Sequence, residues 1–358
     1  MLRQIWRCNM SYKASSQAEE TRKLQITGGS TYILSLPKPW VTQNQLKKGS
    51  ALLVREEDDG SLSIAPSKFE KREKQEEAFI RISTNDNPDA VMRTAISAYL
   101  AGYNSLHLSA QSQQTLPLKL RNHLKSFARN YLVGTEIVID TPNDLTLQVL
   151  LNYPQLTVQN ALSRMAIIAS SMHKEAMASL RQLDYVAAKA IIQTDREVNR
   201  FGLYIVRLLK IAVSNPRIVK DIGLSNQKEC LGYRLIAKSV ERTADHATKI
   251  AENVLLLRVP VNEKLLERID QLSNLAISMF EDSMEALFKS DFNLAETVIE
   301  KISQIAKLEK EAVLLSHNVG IEETASLRLI IESVRRTAEY ASDVAEVVLN
   351  QNVESVLS

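Results

Sequence analysis

From Arg22 to Trp40 the chain reads R-K-L-Q-I-T-G-G-S-T-Y-I-L-S-L-P-K-P-W, with Leu24 and Ile26, then Tyr32, Leu34 and Leu36, alternating with polar neighbours. A period of two marks a half-buried strand. Gly28-Gly29 predicts the turn between two such strands, and Pro37 and Pro39 end the second. Trp40 to Leu46 predicts one short helix and Lys47-Lys48-Gly49 a turn. Ala51 to Glu56 and Leu62 to Ala65 predict two more strands around the hairpin turn Asp58-Asp59-Gly60. About 45 residues in four short strands make a small core that is marginal alone and needs a partner. The preceding residues, 1–20, lack periodicity and end in S-S-Q-A-E-E, which predicts a flexible tail in which Met10 is a second candidate start.

The pattern then changes twice. Lys68 to Glu77 (K-F-E-K-R-E-K-Q-E-E) is dense in charge and reads as a linker or a solvated helix. Strands at Phe79 to Ser83, Leu106 to Leu108 and Glu136 to Asp140 alternate with helices at Ala90 to Gly102 and Pro117 to Tyr131, which predicts a small α/β domain. Asp144 to Tyr153 reads as a bridge to the rest. Beyond Leu156 strand signals stop, and helical periodicity runs through Val158–Arg181, Tyr185–Ser214 and Asn226–Leu257. A second set follows at Asn262–Lys289, Asn293–Ser316 and Glu322–Leu357.

The two sets are similar to each other. M-A-S-L-R-Q-L-D-Y-V-A-A-K-A-I-I, Met177 to Ile192, parallels M-E-A-L-F-K-S-D-F-N-L-A-E-T-V-I, Met284 to Ile299, so that Asp184 matches Asp291. Further on, Leu235 to Val254 (L-I-A-K-S-V-E-R-T-A-D-H-A-T-K-I-A-E-N-V) parallels Leu329 to Val348 (L-I-I-E-S-V-R-R-T-A-E-Y-A-S-D-V-A-E-V-V). A duplicated three-helix unit predicts six helices in two antiparallel bundles. The expected domains are therefore 21–67, all-β; 78–152, α/β; 156–258 and 262–358, the two helical repeats.

Composition narrows the classes without choosing among them. A 45% hydrophobic share with 24% charge is that of a globular protein, and 5% aromatics suits helices filled by Leu, Ile and Ala. A net charge of +2 announces no nucleic-acid binder, although one domain can hide a basic patch. Two cysteines, Cys8 and Cys230, make neither a disulfide framework nor a zinc site and point to a reducing cytoplasm. The first ten residues do not read as a signal peptide, and no apolar run approaches the ~18 residues of a spanning helix.

The sharpest local motif is E-R-T-A-D-H, Glu241 to His246. Glu241 and Asp245, four apart on a helix, share a face, and like charges at that spacing cost roughly 0.2–0.5 kcal/mol unless compensated. A bound cation compensates them; so does a surface ion pair, for which Lys249 stands four residues after Asp245. His246 is turned about 100° from Asp245 along the helix and reads as structural. Cys230, near a helix start, reads as an unreactive half-buried thiol. Catalytic patterns fail: no histidine follows a Glu in E-x-x-H, and neither a phosphate loop nor H-E-x-x-H is present. The expectation is that the protein is not an enzyme.

The run R-L-I-A-K-S-V-E-R-T-A-D-H-A-T-K-I-A-E-N-V resembles the signature helix of the PhoU family of phosphate-uptake regulators, whose repeats each carry an E/D-x-x-x-D motif. The resemblance implies surface clusters of iron or zinc, with a D-x-x-x-[ND] pair added from an upstream helix. D-R-E-V-N supplies that pair, so the implied metal set of copy one is Asp195, Asn199, Glu241 and Asp245, holding iron, zinc or manganese. Copy two departs, with Arg335, Glu339, Ile302 and Ala306 standing at the corresponding positions. Glu339 and Asp343 re-create the spacing one turn later, as a possible second site or as a solvated face in which Arg335 pairs with Glu339. One metal site or none is expected.

At the other end, G-G-S-T-Y-I-L-S-L-P-K-P-W-V followed by L-K-K-G-S-A-L-L-V is similar to the AbrB/SpoVT swapped-hairpin DNA-binding domains, with Ser50 where that family has Asp. Interleaving of two chains would supply the missing core, and a homodimer is implied. The candidate DNA contacts are Arg22, Lys23, Lys38, Lys47, Lys48 and Arg55, with Glu56, Glu57, Asp58 and Asp59 offsetting them. The fold class expected is thus multidomain: a small all-β swapped-hairpin domain, a small α/β domain and a mainly α, PhoU-like six-helix array of two three-helix bundles. The combined resemblance implies a cytoplasmic, DNA-binding transcriptional regulator of phosphate uptake. The alternative is an adaptor that binds a phosphate transporter ATPase or a sensor kinase without binding DNA.

Overall fold

Positive backbone φ angles at Gly28 (+60°) and Gly29 (+81°) let the first strand signal double back on itself. The computed structural model describes residues 20–56, 60–67, 77–83, 85–111, 115–151, 155–316 and 320–357, in two units, Met1–Lys74 and Gln75–Ser358. The N-terminal tail with Cys8 and Met10, the acidic residues Glu57, Asp58 and Asp59, and the charged stretch from Lys68 to Glu76 lie outside the described residues.

In the first unit β1 (Gln25–Thr27) and β2 (Thr31–Ile33) form one antiparallel hairpin, with Gln25 opposite Ile33. Helix α1 (Lys38–Gln43) follows Pro37 and carries Pro39 in its first turn, where the missing N–H costs nothing. A second hairpin pairs β3 (Leu52–Glu56) with β4 (Leu62–Pro66), Leu52 lying opposite Pro66. The two hairpins form separate two-stranded sheets. Alternation has produced strands, yet within one chain the alternate apolar residues bury little. Tyr32 is 66% exposed and Leu62 64%, with Leu24, Ile26, Leu34, Leu53 and Val54 similarly open. Of the unit's described residues Ala65 alone is buried.

The second unit starts with the α/β domain: β5 (Glu77–Ile82), α2 (Pro88–Ala101), β6 (Ser105–Ala110), α3 (Leu118–Tyr131), β7 (Thr135–Asp140) and β8 (Asp144–Val149). The sheet order is β5-β6-β8-β7, with β5 and β6 parallel around α2 and the other pairings antiparallel. The segment expected to bridge onward from Asp144 is instead an interior strand. Leu145, Leu147 and Val149 alternate into the core, a period of two that the expectation of a connector passes over. They pack with Ile82, Leu106, Leu108, Leu124 and Phe127. Asn87 caps α2 through its side chain, and Gly102, at φ +102°, ends it.

The helical part comprises α4 (Val158–Gln182), α5 (Tyr185–Ser214), α6 (Glu229–Val254), α7 (Glu263–Lys289), α8 (Phe292–Glu300), α9 (Ile302–Leu315) and α10 (Ile321–Asn352). The single helix expected over Asn293–Ser316 is broken at Lys301 into α8 and α9. Neither Pro nor Gly causes the break; Lys301 there reaches across to Asp282 of α7 at 2.8 Å. Duplication extends to backbone detail. Leu183 (φ +50°) and its counterpart Ser290 (φ +53°) end the first helix of each repeat in the left-handed region. The next residues, Asp184 and Asp291, cap the following helix with their carboxylates. The repeats share one hydrophobic core, from Leu162 and Ile236 to Phe280 and Val334, because α6 packs against α10 and α4 against α7.

Two buried polar knots fix the assembly. His173 of α4 is fully buried between Ser273 of α7, 2.8 Å from Nε2, and Thr337 of α10, 3.4 Å from Nδ1. Arg207 of α5 is also fully buried and donates to the carbonyls of Tyr99, Gly102 (3.1 Å) and Tyr103 (2.9 Å) and to Asn104 Oδ1 (2.7 Å). Those carbonyls end α2, so the guanidinium sits at the negative pole of that helix and fastens the α/β domain to the bundle.

Candidate metal and nucleic-acid sites

Helices α5 and α6 pack together in the first repeat, and each brings two members of the expected metal set to the face they share. Asp195 and Asn199 are one turn apart on α5, and Asn199 Nδ2 donates to Asp195 Oδ2 at 2.5 Å. The other oxygen, Asp195 Oδ1, is buried without a hydrogen-bond partner. Burial raises the Asp195 carboxyl to about 6, and Asp245 and Glu241 of α6 push it the same way, with Glu252 adding to them. Asp245 is raised too, by burial and then by Glu241, against the pull of Lys238, Lys249 and Arg242. The carboxylates of Asp195, Glu241 and Asp245 therefore form one acidic patch, with the Asn199 amide bonded to Asp195. Lys238 pairs with Glu241 at 2.7 Å, a partner that the motif alone does not name. Glu252 is a further member that the motif misses, although its place seven residues after Asp245 is a face-sharing interval.

The donor set suits a hard or borderline cation in charge and ligand type, and the orphaned buried Oδ1 fits that use. Among the described residues no three His, Cys, Asp or Glu side chains converge into a group that could hold a metal ion. An ion on this face would be held by a few protein oxygens with water completing its shell.

The second repeat treats the matching helix pair differently. Arg335, in the place of Glu241, pairs with Glu309 at 3.0 Å, with Glu332 at 2.8 Å and with Glu339. Arg336 adds bonds to Glu332 (3.0 Å) and Glu339 (2.9 Å). Glu339 is thus spanned by two guanidinium groups, while Asp343 is raised by burial and by Glu346. Of the histidines, His246 points into the core, where its Nε2 lies 3.3 Å from the Tyr340 hydroxyl and burial lowers it to about 4. Cys230 is buried, with its thiol pushed up by the same cause.

In the first unit the six basic candidates, Arg22, Lys23, Lys38, Lys47, Lys48 and Arg55, are all exposed. Arg22 also pairs with Glu20. The turn after α1 is closed by Lys47 N–H donating to Ser50 Oγ at 2.9 Å, so serine performs the turn-closing work at the position where Asp was expected. Among the described residues no helix is long and apolar enough to cross a membrane.

Comparison with known proteins separates the same regions. The PhoU domain model matches residues 162–254 and 269–348, one match for each repeat. The model of the antidote-toxin recognition protein MazE, a bacterial antitoxin, matches residues 25–72. Among solved structures the chain is similar to the phosphate transport system regulatory protein PhoU from Streptococcus pneumoniae, with 19% identity and a TM-score of 0.48 over 56% of this chain and 96% of that one. It is similar to PhoU from Pseudomonas aeruginosa at 18% identity and a TM-score of 0.48, over 55% and 96% of the two chains. No curated protein matches it.

Proposed function

The chain is a PhoU-domain protein with a MazE-type segment ahead of two PhoU domains, and from that premise we propose a cytoplasmic, homodimeric, DNA-binding regulator of phosphate uptake. Its N-terminal hairpins meet DNA, and its helical repeats sense the signal. The observation that carries this reading is the state of the hairpins in a single chain. Eight large apolar side chains lie open on or beside strands too short to make a core, and six exposed cations accompany them. A second copy covers the former and doubles the latter. The Asp195, Asn199, Glu241 and Asp245 face is the proposed cation site, of iron, zinc or manganese, and the protein is read as a regulator and not an enzyme.

The test is a gel shift with DNA from upstream of phosphate-transport genes. Removing one cation from a DNA phosphate lowers the slope of log affinity against log salt by about 0.9. Lys47→Ala with Lys48→Ala in both chains of the dimer should lower the slope by up to about 4 and weaken binding across sequences. Absence of binding by the wild-type dimer at low salt overturns the reading.

One feature favours the adaptor alternative. Ile167, Phe280, Met284 and Phe288 line an apolar groove of about 590 Å³ between α4 and α7, with Ile167 67% exposed. Such a groove suits a protein partner, for which a transporter ATPase or a sensor kinase is proposed. Retention of that partner together with failure to shift DNA selects the adaptor.

A further inference from the structure

Helix α5 turns a line of arginines toward the α/β domain. Arg196, Arg200 and Arg207 are spaced by four and seven residues and so share one face. Arg207 is bonded to the end of α2. Arg200 holds a buried Nε with no hydrogen-bond partner. Arg196 borders a cleft of about 300 Å³ whose other walls come from α2 and α3, with His123, Ser126, Phe127, Asn130 and Tyr131 facing it. Among the described residues no carboxylate pairs with Arg196 or lines the cleft. Two cations of α3, Arg121 and Lys125, are engaged by Asp140. The Arg196 charge at this junction therefore has no carboxylate partner among the described residues.

Arg207 fixes the end of α2 to α5, and Tyr131 stacks on Phe127 with ring centres 5.0 Å apart and planes at 16°. Asn130 Nδ2 donates to Ser126 Oγ at 3.2 Å, one turn apart on α3. The result is a cationic fork from α5, an imidazole, an amide and a hydroxyl from α3, and a stacked pair of aromatic rings.

We propose that this cleft binds a small phosphate-bearing anion, with its phosphoryl oxygens on the Arg196 guanidinium and on donors from His123 and Asn130. A planar carboxylate is satisfied by one guanidinium fork alone, whereas a phosphoryl group brings three acceptor oxygens and uses donors arriving from several directions. Two sources share this chemistry, inorganic phosphate and the phosphate of a nucleoside monophosphate. In the second case the base lies against Tyr131, whose ring is backed by the buried Phe127.

The experiment is calorimetric titration of the full chain with inorganic phosphate and, separately, with adenosine monophosphate. Binding of either at millimolar concentration or tighter, weakened about tenfold or more by Arg196→Ala, supports the proposal and names the source. Asn130→Asp places a carboxylate in the cleft and has to abolish the same binding, at an exposed position where folding is not at stake. If neither ligand binds the wild type, or if Arg196→Ala or Asn130→Asp binds as well as the wild type, the proposal is wrong.

Discussion

Replacing Asp195 by asparagine removes a charge that the fold itself opposes. The carboxyl stands at about 6 in the folded chain against 3.8 as a free side chain. At 1.36 kcal/mol per pH unit the gap amounts to about 3 kcal/mol. Asp195 is only partly buried, and solvent screening reduces the usable part to about 1–2 kcal/mol. The sign follows from linkage. A carboxyl whose folded pKa is raised contributes stability that is fully present below 3.8 and is lost as pH rises through about 6. The asparagine of the variant mimics the protonated form at every pH. In EDTA at pH 8, Asp195→Asn should therefore melt about 2–6 °C above the wild type, and the gap should close as pH falls toward 4. Thermal melts of both proteins across that range make the measurement, and the titration of other groups cancels in the difference. Equal melting at pH 8, or a gap that does not narrow in acid, refutes the picture of an uncompensated acidic face. The same melts test the cation proposal, because a divalent ion at pH 8 should stabilise the wild type and leave the variant almost unmoved.

Glu241→Ala with Asp245→Ala should strip co-purifying iron, zinc or manganese, as read by elemental analysis; unchanged metal content excludes this face. Arg207→Met leaves three carbonyls and Asn104 Oδ1 short of their donor and should cost about 3 kcal/mol or more in a denaturant melt, with protease sensitivity appearing first in residues 77–151. Burial holds His173 at about 4 against 6.5, helped by the Lys174 charge, so unfolding gains a proton and stability falls as pH drops from 6.5 to 4. His173→Gln should remove up to about 3 kcal/mol of that acid-side loss, visible as a flatter stability profile.

Much of the fold was legible because most of its elements announce themselves by period. The strands of the first unit, both helices of the α/β domain and all the repeat helices but one follow from it. The strand β8 was missed because it leaves a turn at Pro142 and lies next to the first long helix, where a connector was the simpler reading. The break at Lys301 has no Pro or Gly to signal it, and the partner Lys301 meets there, Asp282, belongs to another helix. In the candidate metal face, spacing brought Glu241 to Asp245 and Asp195 to Asn199. The closeness of the two pairs is a fact of packing between α5 and α6, as is the Lys238 contact. The cleft beside Arg196 was invisible for the same reason, since its walls come from helices more than 60 residues apart in the chain.

The two repeats act as an internal control on the acidic face. Each starts from the same N-capping aspartate, and although α8 and α9 stand where the first repeat has the single helix α5, the place of Glu241 is taken in the second by Arg335, which reaches three carboxylates. The scaffold therefore tolerates full neutralisation at this position, and repulsion is no requirement of the fold. In the first repeat Lys238 pairs with Glu241 alone, leaving Asp195 and Asp245 raised by burial and by neighbouring acids. At the Glu241 position the second copy has replaced an acid that the first keeps, which supports the proposed cation site on the first repeat. If the proposed cation site lies on this face, a loading experiment should return one ion site per chain, carried by the first repeat, and two equal sites would refute that assignment.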